Sequence, residues 1–203
     1  MAVVGLSTNI KAQSLEITPS FGYMFNGKIQ FSEGVVDLQN GSNLGLSIGT
    51  NMGGWRDIEL DYTWGMNMDL IFNSDDPLIT PDFQTTVNIH QISITGINYF
   101  VKDQSFRPFF NLGVGLSYFD VEATDADDPV RLSLNIGLGA KYDINDRIGI
   151  RLQSRLIAPV HFEGVGVYAG VGTGGSSAGL TLNASVPIFQ ADVRAGVVIK
   201  IGK

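Results

Sequence analysis

Residues 191–203 read ADVRAGVVIKIGK, and their side chains alternate: Val193, Ala195, Val197, Ile199 and Ile201 share one face, while Arg194, Gly196, Lys200 and Gly202 share the other. A period of two marks a strand whose two sides meet unlike surroundings, whereas a helix would bring together residues three and four apart. One side of this segment therefore meets an apolar phase and the other a polar or small-residue one.

Upstream the pattern recurs. In the first strand Leu15, Ile17, Phe21, Tyr23 and Phe25 oppose Glu16, Thr18, Ser20 and Gly22; in a short second one Leu44, Leu46 and Ile48 oppose Gly45, Ser47 and Gly49. The third, longest run sets Ile58, Leu60, Tyr62, Trp64, Met66 and Met68 against Glu59, Asp61, Thr63, Gly65 and Asn67. Between Val87 and Val101 the phase changes, with Val87 and Ile89 on one face and Ile92 and Ile94 on the other, which predicts a β-bulge in that strand. Three more strands follow, carrying Phe110 to Tyr118, Leu132 to Tyr142 and Ile148 to Leu156 on their apolar faces. With the final strand this makes eight, a natural closure number for the smallest barrels.

Composition agrees. The 203 residues contain 25 glycines, 16% charged residues and 44% hydrophobic ones, yet no run approaches the roughly 18 apolar residues of a membrane helix. The chain lacks cysteine, which excludes disulfides and thiolate metal sites. A net charge of -7 disfavours nucleic acid, whose phosphates demand clustered Lys and Arg. Met1 to Gln13 (MAVVGLSTNIKAQ) reads either as the remnant of a secretory signal or as a disordered N-terminus, with the barrel occupying residues 14–203.

Alternation alone cannot say which face points inward, because a water-soluble barrel inverts the pattern. Connection lengths and aromatics decide. Residues 51–57, 102–107 and 143–147 are short connections, whereas 26–43, 73–86, 120–131 and 157–190 are long, the asymmetry of periplasmic turns and external loops. Aromatics gather in two belts: Trp55, Tyr99, Phe100, Phe106, Phe110 and Tyr142 near the short turns, and Phe21, Tyr23, Phe25, Trp64, Phe72 and Tyr118 near the long loops. The expected architecture is all-β, a closed antiparallel up-and-down transmembrane barrel. It has eight strands, or ten if the alternating segments Val165 to Val171 and Leu180 to Val186 also cross; fewer large apolar side chains there favour a hairpin above the membrane.

RPFFNLGVGLSYF (Arg107 to Phe119), DINDRIGIRLQSR (Asp143 to Arg155) and ADVRAGVVIKI (Ala191 to Ile201) resemble the eight-stranded outer-membrane β-barrel family of the OmpA and OmpX type. The resemblance implies an outer-membrane location, a signal peptide and, in most members, no catalysis. One departure is that such chains usually end on an aromatic residue, whereas this one ends Ile201, Gly202, Lys203.

Charges on the polar faces are the candidate site, because a narrow barrel holds charge only if it is paired or wet. Glu16, Glu59 and Asp61 come from early strands; Lys141, Arg151, Arg155, Arg194 and Lys200 come from late ones. Closure puts Glu16 level with Lys200, so a salt-bridge network plugging the lumen is expected. No cofactor, metal or catalytic residue is expected. His90 and His161 are the histidines a hydrolytic triad could draw on, but no nucleophile motif accompanies them. The acidic stretch with Asp120, Glu122, Asp125, Asp127 and Asp128, and likewise Asp75 and Asp76, reads as solvated loop, lacking the glycine-centred spacing of a calcium loop. The expected role is structural or interactive, with outer-membrane lipids, lipopolysaccharide and a larger outer-membrane complex as partners; a small-solute channel, then a lipid-modifying hydrolase, are the alternatives.

Overall fold

The computed structural model describes residues 15–202 apart from 32–33, 54, 75–82, 103, 123–129, 173–174 and 186–188, with backbone alone over most of 161–185 and at a few strand ends. Among the described residues there are eleven strands: β1 (Leu15–Phe25), β2 (Lys28–Phe31), β3 (Gly34–Leu38), β4 (Gly41–Gly53), β5 (Arg56–Ser74), β6 (Phe83–Tyr99), β7 (Phe106–Val121), β8 (Val130–Asp143), β9 (Ile148–Gly172), β10 (Gly175–Ser185) and β11 (Gln190–Ile201). Eight of them, β1, β4, β5, β6, β7, β8, β9 and β11, pair antiparallel with their neighbours around a closed barrel. The first and last strands complete the ring, with Leu15 opposite Ile201 and Phe25 opposite Ala191.

The remaining three strands lie beyond the ring at the end with long connections. β2 and β3 form a hairpin whose β3 lies against the upper part of β5, Leu38 facing Leu70. β9 runs past β8 and pairs with β10, Gly172 opposite Gly175. β10 pairs with β9 alone, so the closure number is eight and the alternating segments after Val165 form a hairpin. Met1 to Gln13, Asp75, Asp76, Asp125, Asp127, Asp128 and the side chain of His161 lie outside the described residues.

Outward faces carry the large apolar side chains. Leu60, Ile94, Leu112, Leu138 and Leu152 expose between 47% and 63% of their surface. A soluble domain does not tolerate a contiguous apolar belt of this kind, whereas hydrocarbon requires one.

The expected directions of Met68, Phe72 and Tyr99 are corrected, and so is the strand that carries the bulge. β6 carries no bulge: its pairing with β7 is unbroken from Val87↔Val121 to Tyr99↔Phe109. The irregularity sits on β5, where Met66 and Asn67 together oppose Asn88, and Asn67 takes φ 46°. This extra residue reverses the phase of upper β5. Met68 and Phe72, expected on the lipid side, are therefore inside, at 0% and 8% exposure. Val87 and Ile89 also face inward because the upper lumen is apolar: they pack with Met24, Leu38 and Met68. Tyr99, expected in the lower belt, points inward against Phe109.

Candidate functional site

Strand alternation delivers every candidate charge into the lumen, where neighbouring strands stack them in layers from the short turns to the long ones. At the rim Asp143 accepts from Arg107 at 2.7 Å and pairs with Lys200 at 2.8 Å. Lys200 does face Glu16 across β1 and β11, as their shared depth required, yet its ammonium goes to Asp143. Glu16 instead receives Lys141, whose ammonium also lies 3.8 Å from Asp57. The Tyr99 hydroxyl donates to Asp57 at 2.6 Å, and the Arg107 guanidinium lies 4.8 Å from the centre of the Tyr99 ring.

The next layer is Arg151 on Glu59, at 2.8 and 2.7 Å to its two oxygens, with the guanidinium 4.9 Å from the Phe109 ring centre. Above it lies a four-membered cluster. Asp61 accepts from Arg155 at 2.7 Å and from Arg194 at 2.9 Å, while Asp192 accepts from Arg155 at 2.5 Å and lies 3.5 Å from the Arg194 Nε. Ser47 donates to Asp61 at 2.6 Å, and the Thr63 hydroxyl accepts from both arginines. Each member of the four is buried. Charge-assisted bonds to every carboxylate are what make such burial tolerable.

Neutral amides come next: Gln91 donates to Gln190 at 2.9 Å, and Gln190 donates to Asn26 at 2.8 Å. The apolar cluster of Met24, Leu38, Met68, Val87 and Ile89 closes the series.

Of the eight residues singled out from sequence, Glu16 meets Lys141, Glu59 meets Arg151, and Asp61 meets Arg155 and Arg194, while Lys200 joins none of the other seven. Asp57, Asp143 and Asp192 were missed, although each sits one period beyond a strand segment already recognised, two residues from Glu59, Lys141 and Arg194 respectively. Carrying the alternation one step further would have found all three. Arg107, at the start of β7, had the same inward parity as Asn111.

On the outer wall His90 lies among aromatics of the two flanking strands, β5 and β7. Its ring stacks 6.1 Å from Trp64 and 6.2 Å from Tyr62, stands 6.0 Å from Tyr118, and its Nδ1 shares a 2.8 Å hydrogen bond with the Tyr62 hydroxyl. Phe21, Tyr23 and Phe25 extend the upper belt, and Trp55, Phe100, Phe106, Phe110 and Tyr142 make the lower one. Among the described residues no cluster of three or more His, Asp or Glu side chains has the arrangement of a metal site.

The closed eight-stranded barrel is matched by known proteins. The sequence pattern of the outer membrane protein beta-barrel domain family covers residues 2–183. The chain belongs to that family. It is a protein of the bacterial outer membrane, and the exposed apolar wall is its bilayer contact. Solved outer-membrane barrels share the fold. OprG from Pseudomonas aeruginosa superposes with a TM-score of 0.63 at 12% identity, covering 95% of this chain and 97% of that one. Neisserial surface protein A gives 0.59 at 14% identity, covering 92% and 97%. AlkL, whose structure was determined in lipid bilayers, gives 0.52 at 13%, covering 100% and 98%. No curated protein matches the sequence.

Proposed function

We propose that this outer-membrane barrel is non-enzymatic, with a structural or interactive role in the envelope, and that its lumen is held shut by the ionic network. The observation that carries the reading is the cluster of Asp61, Asp192, Arg155 and Arg194. It spans the interior from β5 to β9 and β11, and each cation in it faces an acid within hydrogen-bonding distance. Small barrels fill their interiors with side chains rather than water, and here the layers above and below the cluster are occupied as well.

Partners then meet the protein through its surfaces. The strand extensions β2–β3 and β9–β10 stand on the extracellular side, available to a larger assembly, while the upper aromatic belt lies at the level of lipopolysaccharide head groups. His90 supports an anchoring rather than a hydrolytic role, because its Nδ1 is engaged by a tyrosine on the lipid-facing wall.

Planar-bilayer recording tests this reading. The folded protein is expected to give no sustained conductance, whereas an Arg151→Ala or Glu59→Ala variant gives intermittent openings. Sustained conductance in the unaltered protein, indifferent to either substitution, would sink the plugged-lumen reading.

A further inference from the structure

The wall facing the bilayer is not uniformly convex. Near the short turns it holds an elongated apolar groove of about 740 Å³, running across the strands β8, β9, β11 and β1. Small side chains make its floor: Ala140, Ala195 and Pro19, flanked by Leu152, Ile150 and Val197. Register explains the shape. Tyr142, Ile150 and Val197 form one row across β8, β9 and β11, and Ala140, Leu152 and Ala195 form the row above it. Large side chains in one row thus border small ones in the next. The β1–β11 ladder also skips Thr18 and Pro19, passing from Ile17↔Ile199 to Ser20↔Gly196, because proline has no N–H to offer.

At the turn end of the groove stand Phe106 and Tyr142, members of the lower interfacial belt. Just beyond, in the β8–β9 turn, Arg147 is exposed and makes no ion pair with another described residue. Its neighbour Asp146 lines the polar basin at the lumen mouth, which Arg147 does not. Arg147 lies three residues from Ile150, about 10 Å along the strand. That separation places an exposed cation at head-group level and a groove of ligand-sized volume in the adjoining hydrocarbon.

We infer that this groove is a specific site for one anionic diacyl phospholipid of the periplasmic leaflet, with an acyl chain over Ala140, Ala195 and Pro19 and its phosphate at Arg147. A second copy of the chain is a poorer occupant. A two-fold axis through the groove would set groove against groove and leave a void, since residues on such an axis meet their own copies. A flexible acyl chain fills a concave surface without that constraint. The inference rests on the outer-membrane location alone and is independent of how the lumen behaves.

Native mass spectrometry of the full chain, folded in detergent and supplied with phosphatidylglycerol or phosphatidylcholine, tests the site. The unaltered protein should retain one phosphatidylglycerol, with about fivefold less phosphatidylcholine retained at equal supply. Filling the floor with Ala140→Leu and Ala195→Leu together should abolish retention, and Arg147→Ala should erase the preference between the lipids. Leu152→Ala, which widens the groove, should keep it. Equal retention of both lipids by the unaltered protein, undiminished retention by the filled variant, or a lipid-free dimer would each overturn the inference. Folding of each variant is read from its gel mobility before and after boiling; should the filled variant not fold, an undiminished lipid preference in Arg147→Ala is itself decisive against the site.

Discussion

Asp61 does more than any other side chain to hold the interior together. It accepts from Ser47, Thr63, Arg155 and Arg194, so its loss leaves two buried guanidinium groups sharing Asp192. A buried ion pair adds little over a well-packed apolar pair, but breaking one by removing a single partner costs about 3–5 kcal/mol. Asp61→Ala should therefore lower stability by an amount of that order, measured by urea unfolding of the barrel in lipid vesicles. Thr63→Val should cost about 1–3 kcal/mol, because it removes an acceptor shared by both arginines while leaving the carboxylate in place. If Asp61→Ala proved as stable as the parent, Arg155 and Arg194 would have to be satisfied by Asp192 alone.

At the scale of elements, what could be read from sequence depended on whether a signal repeats. Strands built on several periods of alternation, such as β5 below Gly65 and β11 after Val193, were legible because each added pair reinforces the same face. A bulge is a single insertion and leaves no repeat. The change in apolar pattern between Val87 and Ile94 was visible, but it marks the apolar upper lumen and no irregularity of β6, while the bulge itself lies on the partner strand at Met66 and Asn67. From sequence the change predicts a bulge in β6, whereas a regular strand crossing an apolar patch of lumen gives the same pattern. Only pairing separates them. Likewise Tyr99 had the composition of a belt residue, and its inward direction followed from strand parity, not from its side chain. The ion pairs were legible as a set and not as partners, because sequence gives depth along a strand but not the reach of a lysine around the ring: Lys200 passes Glu16 for Asp143.

The bulge yields a prediction of its own. Asn67 is the one described non-glycine residue with positive φ, and its N–H donates to the Asn88 carboxamide at 3.1 Å. Asparagine and glycine accept this conformation, whereas a β-branched residue is strained there. Asn67→Val should destabilise the barrel by about 1–2 kcal/mol and Asn67→Gly by a few tenths at most, judged from paired unfolding curves. Similar costs for both would mean that Asn67 matters for its side chain and not for its backbone. Glycines at strand crossings offer a parallel contrast. A Cβ on Gly115 would stand 2.1 Å from the Ile92 carbonyl oxygen, whereas one on Gly96 meets nothing closer than 3.8 Å. Gly115→Ala should cost about 1–3 kcal/mol through displaced backbone, and Gly96→Ala should stay within about 0.5 kcal/mol.

For the molecule as a whole, the pairing separates a closed ring from what is mounted on it. Every strand of the ring has a partner on both sides, whereas β10 leans on β9 alone and β2 on β3 alone. Closure, lumen network and bilayer belt all belong to the ring, so shortening the extensions at the end with long connections should leave it closed. The β9–β10 hairpin gives the sharpest case, because Phe162 and Ala184 are register partners near its base. Replacing residues 163–183 with Asn-Gly, which favours a tight two-residue turn, joins these partners directly. The shortened chain should insert into vesicles, keep the mobility shift on boiling, and retain stability within about 1 kcal/mol of the parent, since loop length alone carries a small entropic cost. Failure to insert would show that β10 helps to close the barrel. Retained folding with lost association in cell envelopes would instead locate the interactive role in the hairpin.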